Sequence, residues 1–292
     1  MALFAREIVT LSLEDQSLRA LTVRDGKVAR WGELPLSPGL VKEGLIQNPG
    51  QVGGLVKSFL AGLKAPAKKA VVGISGVRSV TRYIDLPRMS PSLLEEAVVR
   101  EAKREMPVPL EELYLSWQVV EGIADRQTVF LLGVPREVLD ALALAMQAAG
   151  IRPYLVDLKP LALVRAARES VAVIADLELA SLSVIIVTGG LPALIRSISL
   201  NRAETEDKVY SLIQEVERTA KFYNDSHKDA PLPEATPVVL TGDLAGLPTL
   251  AAGLAERLHN PARLSGSPLP CPDEFPAYKY LANLGLALKK GA

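Results

Sequence analysis

The stretch Tyr83–Val120 reads YIDLPRMSPSLLEEAVVREAKREMPVPLEELYLSWQVV, and its punctuation decides the fold. A strand over Val80–Leu86 stops at Pro87, a helix runs over Ser90–Glu105, and Pro107 with Pro109 separates it from a strand over Tyr114–Val120. Ser90 stands at the capping position with Pro91 in the first turn, where the missing proline N–H costs nothing. Leu93, Leu94, Ala97, Val98 and Ala102 recur at helical spacing and predict one apolar stripe, while Glu95, Glu96, Arg100, Glu101, Lys103, Arg104 and Glu105 take the other face.

Working outward, Val71–Ile74 is a strand just upstream. Before it, Ile8–Leu13, Leu18–Arg24 and Lys27–Leu34 alternate apolar and polar residues around the turn Asp25-Gly26, which predicts an antiparallel meander. A Pro- and Gly-rich loop, Pro35–Gly50, leads to a helix from Gln51 to Leu63, and Pro66, Lys68 and Lys69 mark the return to the sheet. Downstream, the polar turn Glu121–Arg126, a strand over Thr128–Val134 and a helix over Arg136–Ala149 stopped by Gly150 follow. Next come a strand over Ile151–Asp157, a helix with Pro160 in its first turn, and a second meander, Val171–Asp176, Ser181–Val187 and Leu194–Leu200, turning at Thr188-Gly189-Gly190. The chain continues with a helix over Glu204–Asn224, the linker DAPLPEATP, a strand over Val238–Thr241, a helix over Leu247–Leu258, a Pro-rich segment Pro261–Pro276 and a last helix over Ala277–Lys290. Two meanders of one pattern predict a duplicated α/β body.

At 292 residues and 49% hydrophobic the chain can bury a substantial core and form two domains. Basic and acidic residues balance at 33 each, so no field draws nucleic acid, and proteins are the expected partners. Cys271 is the one cysteine, which excludes an intrachain disulfide and fits a reducing compartment; it reads as an ordinary thiol. Apolar runs are short, Leu139–Ala149 being broken by Gln147 and ended by Gly150, so no membrane span is expected, and MALFAREIVT has no signal-peptide pattern. His227 and His259 lie far apart, and no metal-ligating cluster, Ser/His/Asp set or paired carboxylates at catalytic spacing appear.

Together with VDLKPLALVRAAR (Val156–Arg168) and the closing AYKYLANLGLALKK (Ala277–Lys290), the opening stretch resembles the type IV pilus assembly protein PilM family, actin-like and related to FtsA. The resemblance implies an α/β actin-like fold of the duplicated ribonuclease H-like kind. Residues 1–157 would form a first domain with an inserted subdomain at about 88–150, and 158–292 a second, shortened one. The connector NRAE (Asn201–Glu204) stands where family members carry the subdomain that roofs the nucleotide cleft, so this chain reads as a degenerate, shortened member. The implied partner is the cytoplasmic tail of a PilN-like inner-membrane protein, which would hold this protein in the cytoplasm, peripheral to the membrane. Its groove, between the first domain and the inserted subdomain, would be edged by Arg82, Leu86, Arg88, Met89, Arg100 and Arg104. The cations would meet peptide carbonyls or acidic groups, and Leu86 and Met89 would receive an apolar anchor. The plainer reading makes Arg100 and Arg104 a solvated face paired with Glu96 and Glu101.

Actin-like ATPases cradle phosphates in two hairpins with an Asp-x-Gly core, the glycine letting backbone N–H groups approach. Here the first hairpin, LSLEDQSLR, has Ser12 and Glu14 at those positions, followed by Asp15; the second, ADLELASLS, has Asp176 and Glu178. The adenosine motif keeps Gly242 but continues with Asp243 and Leu244. A carboxylate facing a phosphate at ~4 Å costs about 4 kcal/mol at an effective dielectric of 20. If Glu14 and Glu178 turn to solvent, only the loss of glycine counts. Asp176 could make a turn hydrogen bond, and Gly189-Gly190 reads as a plain hairpin tip. The expectation is a pseudo-ATPase scaffold with no cofactor, ATP and Mg not binding productively. The alternatives are an actin-like ATPase or small-molecule kinase that keeps ATP, an FtsA-like filament protein, or a type II secretion scaffold.

Overall fold

The computed structural model describes residues 7–65, 67–123, 125–200, 205–258 and 260–289. The expected connector at 201–204, the helix start at Glu204, Pro66, His259 and the helix end at Lys290 therefore lie outside the described residues.

Asp25 and Gly26 both take positive φ, 51° and 77°, as do Gly189 and Gly190, 58° and 74°. Two such residues make the tight turn whose twist suits an antiparallel hairpin. The turns organise two meanders of equal strand lengths: β1 (Glu7–Leu13), β2 (Ser17–Arg24) and β3 (Lys27–Pro35) in one, β11 (Val171–Leu177), β12 (Ser181–Thr188) and β13 (Leu191–Ser199) in the other. Each becomes a five-stranded sheet by adding two parallel strands. The first adds β6 (Lys69–Ile74) and β10 (Arg152–Leu158), in order β10-β6-β1-β2-β3; the second adds β14 (Val238–Thr241) and β15 (Ala262–Leu264), in order β13-β12-β11-β14-β15. The two orders are the same path walked twice. β15 lies in the segment read as Pro-rich loop, and a small hairpin, β4 (Val41–Lys42) with β5 (Leu45–Ile46), lies in the Pro35–Gly50 loop.

Helix α1 (Pro49–Gly62) starts where the Asn48 side chain accepts a hydrogen bond from Gln51 N at 3.0 Å. Between the sheets' elements run α4 (Lys159–Ala167), with Pro160 in its first turn, and, after α5 (Thr205–Ser226) and α6 (Pro248–Leu258), the closing helix α7 (Leu281–Ala287). Helices α4 and α7 are buried. One core joins Leu21, Val23 and Val28 of the first sheet with Leu163, Ile174, Ile185, Val239, Tyr280, Leu281 and Leu284 of the second half. Each fully buried leucine there contributes about 2 kcal/mol by removal from water. Residues 7–77 and 144–289 form one compact unit, in which the first sheet ends with β10 and the second begins with β11. Asp157, 3% exposed, anchors this packing by pairing with Arg165 at 2.9 Å and Lys289 at 2.8 Å, which fixes α4 and the end of α7. The last helix is shorter than expected because the Tyr278 carbonyl is committed elsewhere, accepting from Gly242 N at 3.1 Å and Thr241 Oγ1 at 2.6 Å.

The second compact unit is Arg78–Ala143, ten residues ahead of the expected start near 88. The difference is β7 (Val80–Pro87), which pairs antiparallel with β9 (Arg126–Pro135); β9 pairs in turn with β8 (Leu113–Ile123). Strand pairing, not the proline step, sets the boundary. Helix α2 (Pro91–Glu105) covers one face, burying Leu94, Ala97, Val98 and Ala102 against Ile84, Leu86, Leu113, Val129 and Leu131. Leu93, placed in the stripe, is 57% exposed, and Ser90 Oγ lies 3.4 Å from Ser92 Oγ instead of capping the backbone. Helix α3 (Arg136–Ala149) starts in this unit, and its residues from Leu144 belong to the larger one.

Candidate functional site

Equal strand lengths place Glu14 and Glu178, and Ser12 and Asp176, at matching positions of the two hairpins. Each hairpin closes in the same way, with Glu14 N donating to Ser17 O and Glu178 N donating to Ser181 O, both at 2.9 Å. Those N–H groups are thus used within the turns. Asp15 is used structurally as well: its carboxylate accepts from Glu43 N at 2.7 Å and Gly44 N at 2.8 Å, pinning the β4–β5 hairpin.

Neither glutamate turns to solvent, since Glu14 is 5% and Glu178 2% exposed. Both meet cations of the protein itself. The Glu178 carboxylate is gripped by the Arg19 guanidinium at 2.8 and 2.7 Å, is in contact with Lys159 Nζ, and accepts from Asp243 N at 3.3 Å. Lys159 Nζ also reaches Asp176 Oδ2 at 2.7 Å and Glu14 Oε1 at 3.1 Å. Arg19 further meets Asp243 Oδ1 at 2.7 Å and its cross-strand neighbour Glu33 at 3.0 Å, and Lys279 bridges Glu33 at 2.5 Å and Asp243 at 3.1 Å. In the second half the positions matching Arg19 and Glu33 are Ser183 and Ser197, hydrogen-bonded at 2.7 Å. The charged pair therefore belongs to one half only and reaches across to the other.

Burial penalises the Glu178 carboxylate, but Lys159 and Arg19 together outweigh it and hold its pKa well below the usual range. Burial pushes Glu14 up to about 7 and Asp176 up to about 6, in both cases against the pull of Lys159. Lys159 is itself penalised by burial, yet Asp176, Glu14 and Glu178 raise it above its ordinary value.

Gly242, the glycine kept from the adenosine motif, has φ +98°, and a Cβ there would lie 2.5 Å from Leu177 O. Leu244 N donates to that same carbonyl at 3.1 Å, so the turn after β14 is sewn to the second hairpin. The cleft centre is filled by protein atoms. Arg19, Lys159, Glu33 and Lys279 were not singled out from the sequence. The available signal was Arg19 in the middle of β2 and Lys159 in the stretch VDLKP, Val156–Pro160.

The partner-facing residues are distributed differently from expectation. Arg82, Arg88, Arg100 and Arg104 are exposed; Arg82 Nη1 donates to its neighbour Thr81 O at 2.9 Å, and Arg104 pairs with Glu101 at 3.4 Å. Among the described residues Arg100 forms no ion pair with Glu96. Met89 is half-buried against the core of its unit. Leu86 is 8% exposed and belongs to that core, because its side chain points to the α2 face of β7, so it cannot receive an anchor. Leu86→Ala is expected to cost about 3 kcal/mol as a core truncation, read as a lower urea midpoint.

A duplicated ribonuclease H-like body, with its central cleft closed by its own side chains, defines a protein of the actin-like class. The family model for the type IV pilus assembly protein PilM matches residues 13–202, and the chain belongs to that family. Similar solved structures agree on the fold. The chain of the PilM-PilN type IV pilus biogenesis complex is 19% identical, with a TM-score of 0.81 over 97% of this chain and 98% of that one. The cytoplasmic domain of EpsL, an inner-membrane component of the Vibrio cholerae type II secretion system, gives 14%, 0.56, 98% and 97% respectively. The ethanolamine utilization protein EutJ from Carboxydothermus hydrogenoformans gives 13%, 0.56, 99% and 91%. Among the described residues no helix is long and apolar enough to cross a membrane.

Proposed function

We propose that this protein is a non-catalytic scaffold of a type IV pilus or related secretion or competence apparatus, and that it docks the cytoplasmic tail of a PilN-like inner-membrane protein. In this reading it works in the cytoplasm, held at the membrane through that partner. Family membership supports the assembly role, and the similar chain solved in the PilM-PilN complex supports the partner. The observation that carries the non-catalytic part is the Glu178 carboxylate, bound by Arg19, Lys159 and Asp243 N in the cleft where an actin-like ATPase places phosphate. A nucleotide would have to displace an internal anion and break buried ion pairs, against a binding energy of about 8 kcal/mol at micromolar affinity. The exposed cations Arg82, Arg88 and Arg100 are the proposed contacts of the tail, with Met89 beside them.

Titration calorimetry tests both parts. Mg-ATP is expected to give no saturable heat, and a synthetic peptide of the partner tail is expected to bind, with the affinity falling about tenfold in an Arg82→Ala/Arg88→Ala variant. Micromolar ATP binding would defeat the pseudo-ATPase reading, and a tail peptide bound equally by the double variant would defeat the proposed contacts. Glu14→Gly with Glu178→Gly is expected to leave ATP unbound, because the backbone N–H groups at positions 14, 178 and 244, the donors a phosphate would need, stay bound to the Ser17, Ser181 and Leu177 carbonyls.

A further inference from the structure

Among the described residues the cluster joins five carboxylates, Glu14, Glu33, Asp176, Glu178 and Asp243, to three cations, Arg19, Lys159 and Lys279. With every group ionised it holds two uncompensated negative charges. The imbalance is not spread evenly. On one side Arg19 and Lys279 serve Glu33, Asp243 and Glu178, and the side chains of Glu33 and Lys279 are 22% and 28% exposed, so water screens that end. On the other side Lys159 alone faces Glu14, Asp176 and Glu178, all 5% exposed or less.

Of those three, Glu178 has Arg19 as a second cation. Glu14 and Asp176 pair directly only with the shared ammonium, Arg19 adding a weaker pull from farther off. Asp176 Oδ1 is buried and accepts no hydrogen bond among the described residues, and Ser12 Oγ of the matching hairpin position is likewise buried without a partner. A buried carboxylate with half a counter-charge and an unfilled acceptor is far more costly ionised than neutral.

We propose that closing the two halves of this body binds a proton: the Glu14 and Asp176 carboxyls, contributed by opposite hairpins, share about one proton in the packed state and release it when the halves separate. Glu178 stays ionised between Arg19 and Lys159 and supplies the fixed charge of the latch. The raised values of about 7 for Glu14 and about 6 for Asp176 fit this geometry. The sign follows directly. Both groups bind protons more tightly in the packed than in the unfolded chain, where carboxyls titrate near 4, so stability falls as pH rises through the window from about 4 to about 7 and levels off above it. Glu178 acts oppositely, its contribution being lost only as pH falls below its unfolded value.

The full chain unfolded in urea at pH 5.5 and pH 8 is expected to show the lower midpoint at pH 8. Glu14→Gln, which mimics the protonated acid, is expected to remove most of that drop and to raise the folding equilibrium constant at pH 8 about tenfold over the unsubstituted chain. A midpoint that rises toward pH 8, or a variant that follows the parent at both pH values, overturns the proposal. Should Glu14→Gln fail to fold, the unsubstituted chain labelled with carbon-13 at its carboxyls decides. Two carboxyl resonances titrating near neutrality support the latch, and buried carboxyls that all titrate below pH 5 overturn it.

Discussion

Gly285→Ala is expected to prevent stable folding. An added Cβ would lie 1.8 Å from the Ala162 carbonyl oxygen and 2.5 Å from its carbon, both backbone atoms of α4, so no side-chain rotation relieves the clash. Helices α4 and α7 would have to separate, and with them the shared core that holds Leu163, Leu281 and Leu284 fully buried. Overpacking of flexible side chains costs about 1–3 kcal/mol; against rigid backbone we expect on the order of 4 kcal/mol or more, a large share of the total stability of a domain. Thermal unfolding followed by circular dichroism should show a melting temperature lowered by about 10 °C or more, or no cooperative transition. The control is Gly54→Ala, on the exposed face of α1 with nothing within 4 Å of its added carbon, where the better helix propensity of alanine should be neutral or stabilising by up to about 1 kcal/mol. Equal losses in the two variants would show that glycine conformational freedom, rather than the close crossing of α4 and α7, sets the effect.

Lys159→Met should be nearly as damaging, for an electrostatic reason. The ammonium is the counter-charge of Glu14 and Asp176 and shares Glu178 with Arg19, in a place with almost no access to water. Methionine keeps the apolar stem and removes the charge. Leaving buried carboxylates without their cation costs about 3–5 kcal/mol, more than the net value of the pairs themselves. The loss should be smaller at pH 5.5 than at pH 8, because protonation can then neutralise Glu14 and Asp176 in place of the lysine. Urea unfolding at both pH values reads this difference. A loss independent of pH would mean that Lys159 matters through packing alone.

Much of the architecture is legible from residue order. Asp25-Gly26 and Gly189-Gly190 announce their turns, alternation along β1, β2 and β3 announces strands, and the repeated strand-and-turn order announces the duplication that the matching strand orders bear out. The glutamates in place of the loop glycines are equally visible. Where reading failed, the cause was a competing long-range interaction. The closing helix begins at Leu281 because the Tyr278 carbonyl is bound by the turn after β14, and the second unit begins before the proline step because β7 is paired with β9. Leu86 was placed at a groove because its exposure depends on α2 lying over its face of the strand, which periodicity does not report.

The sequence by itself determined the longer strands and helices, the doubled α/β order and the loss of the phosphate-binding glycines, since these depend on local backbone preference and spacing. Only the tertiary structure decided what the new carboxylates do: Arg19 and Glu178 are 159 positions apart in the chain, yet their side chains meet at 2.7 Å in the centre of the body. The energy of a charge is set by its burial and by its nearest opposite charge, and both are properties of the folded packing. Read along the chain, Glu14 and Glu178 are obstacles to a ligand; in the fold they are halves of an ionic seal joining the two sheets.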